Sequence, residues 1–344
     1  MVQEIFTRTI LSQKKDAPSL PCAFELRIRR TLRIMAFNGS EVHTTLPSSP
    51  WRTIMIKRIL CPQDFSPYST AALEFACALA GQHNASIGGL VILDHQGIER
   101  SIGPIPAGGL HYADLQIAEL EKQTEAKIRG LLDQFRANCE RAGVRHFESE
   151  RQGTPAANIV QESVFYDCVT VGLRTFFEYS ASAGEDQVFG NADDHPGKSL
   201  DEIIQHSVVP TFAVPLGWKP VERRLRVLIV FNGSVASVRS LHEFTNFFTP
   251  ESAKVTVLTA CPDSTQGHFL LDQVDAYLKC HGFADTRKEW TQANVRDAMA
   301  DGFSDQADLI VLGAHSKTLL LDFMVGSVCK DLITRATTPL LIVH

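Results

Sequence analysis

The chain of 344 residues is internally duplicated, and this duplication constrains its fold more than any other feature. From Lys57 onward, short apolar runs alternate with longer amphipathic stretches, and the series is completed twice. The first series predicts strands near 57–62, 86–93, 146–150, 167–172 and 209–214, with helices near 67–82, 112–142, 155–164 and 198–206. The second predicts strands near 225–231, 254–260, 284–290, 308–313 and 338–343, with helices near 236–248, 264–281, 292–304 and 327–335. Strand-like runs separated by helical stretches are the pattern of βαβ units on a parallel sheet. The expected fold is therefore α/β, with two tandem, doubly wound, five-stranded parallel-sheet domains.

The two series agree at their landmarks. The first strand ends in Asp64-Phe65-Ser66 in one and in Asn232-Gly233-Ser234 in the other. Asp167-Cys168-Val169-Thr170-Val171-Gly172 answers to Asp308-Leu309-Ile310-Val311-Leu312-Gly313. Pro210 and Pro339 sit near the start of each last strand, a placement tolerated on a sheet edge because proline donates no ladder hydrogen bond. The expected division is a first domain over 55–216, a linker over 217–224 and a second domain over 225–344. Residues 1–54 show neither period and are expected to be a disordered leader or the product of a start codon placed too early. Met55 opens the first strand directly.

Charge and cysteine usage narrow the function classes. Net charge is −6. Residues 1–54 carry +4 of it and the remainder −10, and an acidic body disfavours a nucleic-acid partner. No apolar run reaches the roughly 18 to 20 residues needed to span a bilayer, so no membrane partner is expected. The eight cysteines form no CxxC pair and no ligand cluster, and read as reduced core residues of a cytoplasmic protein.

In an open parallel sheet, ligands bind beyond the carboxyl ends of the strands, where the winding reverses. In the second series that place holds Gly313-Ala314-His315-Ser316, nine further residues, then Gly326-Ser327 opening a helix with Val328 behind it. Glycines allow close backbone approach to a phosphate, and free N–H groups at a helix start favour an anion. The duplicated unit, the Asp-x-Ser or Asn-Gly-Ser strand ending and this loop together resemble the universal stress protein family in its tandem form, over 55–344. The resemblance implies five parallel strands and four helices per unit, and ATP or a related adenine nucleotide as ligand. It implies that the loop glycines hold phosphates and ribose, and that the residue ending the first strand contacts the adenine side. The implied contacts are Asn232, Ser234, Gly313, His315, Ser316, Gly326, Ser327 and Val328. Two of these depart from the family pattern: Ser316 replaces a glycine and Asn232 replaces an acid. The resemblance further implies pairing of the last strands, here 209–214 with 338–343 inside one chain, with homodimer formation left open.

The first series keeps Asp64 and Ser66 but not the loop. Leu173-Arg174-Thr175 follows Gly172, then 21 residues precede Gly197-Lys198, and the insertion is acidic. This half is not expected to bind ATP in the family manner. The stretch Ala192–Ser199 imitates a phosphate-binding P-loop, but it lies far past its strand and Pro196 removes a donor. Asp193-Asp194-His195 reads as solvated loop rather than metal ligands. No G-x-S-x-G elbow, H-E-x-x-H helix or acid–base pair stands out, so catalysis is not expected. Three readings remain: a nucleotide-sensing stress or signalling module, a nucleotide-independent interaction scaffold and, with least support, a slow ATPase.

Overall fold

A computed structural model describes residues 56–95, 98–99, 109–175, 177, 198–304, 306–314, 332–333 and 335–344. The leader expected at 1–54, the P-loop imitation and most of the helix expected at 327–335 lie outside them. The first half contains β1 (Arg58–Pro62), β2 (Ser86–Leu93), β3 (Arg145–Gln152), β4 (Cys168–Gly172) and β5 (Thr211–Val214). Its helices are α1 (Pro67–His83), α2 (Leu110–Arg141), α3 (Pro155–Ser163) and α4 (Lys198–His206). The second half contains β6 (Leu225–Val230), β7 (Ala253–Ala260), β8 (Arg287–Thr291), β9 (Leu309–Gly313) and β10 (Leu340–Val343). Among its helices are α5 (Val235–Phe247), α6 (Ser264–Cys280) and the short α7 (Val295–Ala298).

All ten strands form one sheet in the order β3-β2-β1-β4-β5-β10-β9-β6-β7-β8. Each half is parallel throughout and has the doubly wound order 3-2-1-4-5. The halves meet through β5 and β10, which pair antiparallel with Phe212 opposite Leu341. Pro210 and Pro339 thus border strands that are interior to the sheet, not at its edge as the sequence suggested. Each proline precedes its strand, and its carbonyl accepts a neighbour's N–H, from Val169 and Ile310, at 2.9 Å. The missing N–H therefore leaves no ladder position empty.

Strand residues alternate between two cores, as expected for a sheet covered on both faces. Ile59, Cys61, Val227 and Ile229 join the layer formed with α1, α2, α5 and α6, whereas Leu60, Leu228, Ile203 and Ile333 lie on the other side. Aromatic rings fill the seam between the halves. Phe212 of β5 packs against Phe75 of α1 at 5.2 Å and Phe247 of α5 at 5.1 Å, and Trp218 meets Phe75 edge-on at 5.0 Å. The linker is tied down beside them by Lys219, whose Nζ donates to Glu74 at 2.9 Å.

The duplicated aspartates before β4 and β9 are structural. Asp167 accepts the backbone N–H of Lys57 and Arg58, and Asp308 accepts that of Arg226 at 2.8 Å, so each carboxylate anchors the start of its neighbouring strand. Burial would raise the Asp308 pKa, but hydrogen bonds from Arg223 and Arg226 outweigh it and hold the carboxyl well below the usual range.

Leu115, near the start of α2, is 56% exposed. At ~1.5 Å per residue, the 32-residue α2 runs ~48 Å, whereas the eight-residue β2 beneath it spans ~26 Å. Its first turns therefore outrun the strand they would cover. The helix expected at 292–304 is regular only over Val295–Ala298, because Gly302 takes φ 102° and interrupts the turns that follow. Cys280, read as a core residue, is exposed at the end of α6. The pair Gly88-Gly89 marks close packing: a Cβ at Gly89 would lie 2.7 Å from the Phe135 ring of α2.

Two stability measurements follow. Phe212→Ala should lower the unfolding free energy by about 3–5 kcal/mol in chemical denaturation, because it empties the seam shared by both halves. Asp308→Asn should be less stable than the parent at neutral pH. A carboxylate with a depressed folded pKa contributes its stability above its unfolded pKa of about 4 and loses it on acidification. The gap between the two proteins should therefore narrow as denaturation is repeated below about pH 4.

Candidate functional site

The winding reverses between β6 and β9 in the second half and between β1 and β4 in the first. At the end of β6, Asn232 Oδ1 accepts the backbone N–H of Ser234 at 3.0 Å, closing a local turn. Gly233, between them, takes φ 76°, a conformation that glycine adopts without strain. Ser234 then caps α5, its Oγ accepting the N–H of Ser237 at 3.2 Å. With Oδ1 committed, the Nδ2 of half-buried Asn232 has no hydrogen-bond partner among the described residues and remains free to donate.

Gly313 ends β9 directly behind that helix start. A Cβ there would lie 2.5 Å from the Ala236 carbonyl carbon and 2.7 Å from the Ser237 nitrogen. The chain continues to buried Ala314, whose N–H bonds the Val343 carbonyl at 2.8 Å. Asn232, Ser234 and Gly313 are thus gathered around the first turn of α5. His315, Ser316, Gly326, Ser327 and Val328 lie outside the described residues.

The first half repeats this layout with different chemistry. Asp64 Oδ1 accepts from Ser66 N at 3.0 Å and from Ser66 Oγ at 2.7 Å, and the Asp64 side chain is buried. Ser69 Oγ receives the Asp64 N–H at 3.2 Å, and the Gln63 amide reaches back to the Cys61 carbonyl at 3.1 Å. A Cβ at Gly172 would fall 2.4 Å from the Cβ of Tyr68 in α1, so this glycine is the counterpart of Gly313. Thr175 replaces the second loop glycine; its Oγ1 donates back to the Gly172 carbonyl at 2.8 Å. Leu173, Thr175 and Phe177 are each 1% exposed, so the chain after β4 packs into the protein.

Two structural roles escaped the sequence reading. Asp64 and Asn232 form the turns that admit α1 and α5, a role signalled by Asx-x-Ser before a helix. Gly172 and Gly313 permit helix starts to press on strand ends. Among the described residues, no group of three His, Cys, Asp or Glu could hold a metal ion, and no helix is long and apolar enough to cross a membrane. A cavity of about 30 Å³ lies at the opposite end of the sheet, near Arg226, Thr256, Arg287 and Phe303, with room for water rather than a nucleotide.

Gly172→Ala and Gly313→Ala should each destabilise the protein by about 1–3 kcal/mol in chemical denaturation without added ligand, since the new methyl must displace a helix start.

Residues 55–171 and 303–344 match the universal stress protein family. No curated protein matches the chain. A universal stress protein from Archaeoglobus fulgidus DSM 4304 has a similar fold, with a TM-score of 0.62 at 16% identity, covering 83% of this chain and 97% of that one. UspA from Lactobacillus plantarum is matched over 36% of this chain and all of its own, at 18% identity and a TM-score of 0.31. A universal stress protein solved in complex with cAMP is matched over 36% of this chain and 98% of its own, at 23% identity and a TM-score of 0.31. Universal stress protein family sequence thus lies in both halves of the chain, on a doubly wound sheet of the same fold as the Archaeoglobus fulgidus protein.

Proposed function

We propose that this protein is a cytoplasmic signalling module of the universal stress type that binds ATP or a related adenine nucleotide in its second half. In this reading 55–216 and 225–344 are two domains joined by 217–224, and only the second is a sensor. The observation that carries it is Asn232 Nδ2, without a hydrogen-bond partner among the described residues and held by its own turn near Gly313 and the α5 start at the winding reversal. An amide in that position can donate to a ring nitrogen of a purine. Ser316, Gly326, Ser327 and Val328 would supply the phosphate side, and His315 a further donor. Binding would act by selecting one conformation and so altering partner contacts, with no chemistry required. In the first half, buried Thr175 and Phe177 follow β4 where a phosphate loop would need open backbone.

A second reading has its own support. Close packing on α5 accounts for Gly313 without any ligand, so the fold could serve as a nucleotide-independent scaffold.

Calorimetric titration of the full chain with ATP, and separately with cAMP, decides between them. The sensor reading expects saturable binding with a stoichiometry near one, abolished in Gly326→Asp, whose carboxylate repels phosphate. Asn232→Asp keeps the turn acceptor but replaces the free donor, and should change affinity while leaving the melting temperature of the free protein unaltered. Neither heat nor thermal stabilisation at millimolar nucleotide would overturn the sensor and leave the scaffold.

A further inference from the structure

The cavity near the amino ends of β6 and β8 has a filled counterpart in the first half, and strand register identifies the residues that differ. Ile59 pairs with Cys168 as Val227 pairs with Leu309, so Arg58 corresponds to Arg226. Continuing outward across each half, Gly88 corresponds to Thr256 and Phe147 to Arg287. Tyr166, just before the anchoring Asp167, corresponds to Ala307 before Asp308. In the first half the Arg58 guanidinium lies 4.5 Å from the centre of the Tyr166 ring and 5.0 Å from that of Phe147. These two rings stack at 6.0 Å, and Gly88 makes room for them, since a Cβ there would lie 2.5 Å from the Tyr166 hydroxyl.

The second half has lost both rings and placed polar groups where they stood. Ala307 removes the ring that would cover β7, Thr256 sets a hydroxyl on that strand, and Arg287 brings a second guanidinium from β8. What remains is the cavity of about 30 Å³, open to solvent and floored by Phe303. Arg226 donates to Asp308 through Nε and Nη2, and Arg287 donates to Glu289 through Nε. Nη1 of Arg226 and both terminal nitrogens of Arg287 have no partner among the described residues. The Thr256 hydroxyl and the exposed Gln306 amide complete the polar lining. Arg223 also binds Asp308, so three guanidiniums share two carboxylates and one positive charge is left over. Lys254, opposite Arg226 on β7, adds to it.

We propose that this cavity binds a phosphate group, held between Arg226 and Arg287 with Thr256 and Gln306 completing its hydrogen bonds. Guanidinium groups present donors in a planar fork that matches phosphate oxygens, and the excess positive charge at the cavity complements the anion. At about 10–15 Å³ per water, the cavity holds about two waters, whose places the inner phosphate oxygens take while the others face solvent. A nucleoside has no room here. The ligand is therefore inorganic phosphate, or the phosphate of a monoester whose remainder stays in solvent. The site lies at the end of the sheet opposite Asn232 and Gly313 and does not depend on the nucleotide reading.

The test follows thermal unfolding of the full chain against inorganic phosphate, with sodium chloride holding ionic strength constant. The melting temperature should rise saturably at millimolar phosphate. In Arg287→Gln the dissociation constant should rise roughly tenfold or more, the usual loss for a charge-assisted hydrogen bond. Arg287 is exposed on edge strand β8, so this variant should melt with the parent when phosphate is absent. Thr256→Gly combined with Ala307→Tyr copies the first half and should abolish the shift by filling the cavity with a ring. Gly326→Asp acts at the other end of the sheet and should keep the shift, which separates this site from the nucleotide cleft. Methyl phosphate distinguishes the two sources: tighter binding than inorganic phosphate identifies a monoester, and weaker binding the free ion. The proposal is overturned by no shift, by a shift that never saturates, by one equal in Arg287→Gln and the parent, or by one lost in Gly326→Asp.

Discussion

Three residues from each half, Thr211–Phe212–Ala213 and Leu340–Leu341–Ile342, pair antiparallel at the centre of the sheet, and the architecture of both halves depends on that ladder. A five-stranded sheet of order 3-2-1-4-5 ends in β5 or β10, each short, apolar and fully buried in this protein. Left unpaired, either would expose backbone donors and acceptors on a hydrophobic strand, a template for aggregation. Joining the two removes both edges at once. The edges that remain are β3 and β8, with sequences RHFESERQ and RKEWT, whose charged side chains tolerate solvent and discourage further strand addition. Phe75, Phe212, Phe247 and Trp218 then bury the junction, so the halves share a core as well as hydrogen bonds.

Duplication separates what the fold needs from what a ligand needs. Asp64 and Asn232 make the same turn with the same acceptor distance of 3.0 Å, although one is an acid and the other an amide. Gly172 and Gly313 both lie under a helix start that excludes a side chain. These shared features are requirements of a strand-to-helix turn packed on its neighbour. What differs between halves is more informative about binding. Asp64 is buried and accepts two hydrogen bonds from Ser66, whereas the Asn232 Nδ2 has no partner among the described residues; the chain after Gly172 dives into the core through Leu173, Thr175 and Phe177.

The layer beneath α1 and α2 holds Cys61, Cys77, Cys139 and Cys168 in the first half. In the second half the corresponding layer is built from Phe244, Phe247, Leu271, Val274 and Leu278, with no buried thiol among the described residues. The two halves have thus kept one backbone plan and diverged in side chains: several cysteines in this layer of the first half, aromatic and aliphatic residues in that of the second.

The amino-acid sequence by itself determined the duplication, the alternation of strands and helices and most element bounds, because hydrophobic period and turn residues are local properties that survive without knowledge of neighbours. It also carried the family likeness through Asn232-Gly233-Ser234, Gly313 and Gly326-Ser327. Tertiary structure alone decided which of those residues serve packing. Gly313 is explained by Ala236 and Ser237, 77 and 76 positions away, and no spacing rule reaches that far. The exposure of Leu115 depended on the length of a strand the helix overlies, and the prolines beside β5 and β10 became interior only when the halves joined. Cys77 and Cys139 lie on different helices and share one core layer because α1 and α2 pack on the same sheet face. Contacts between residues distant in the chain arise from packing, and packing is a property of the assembled layers rather than of any one segment.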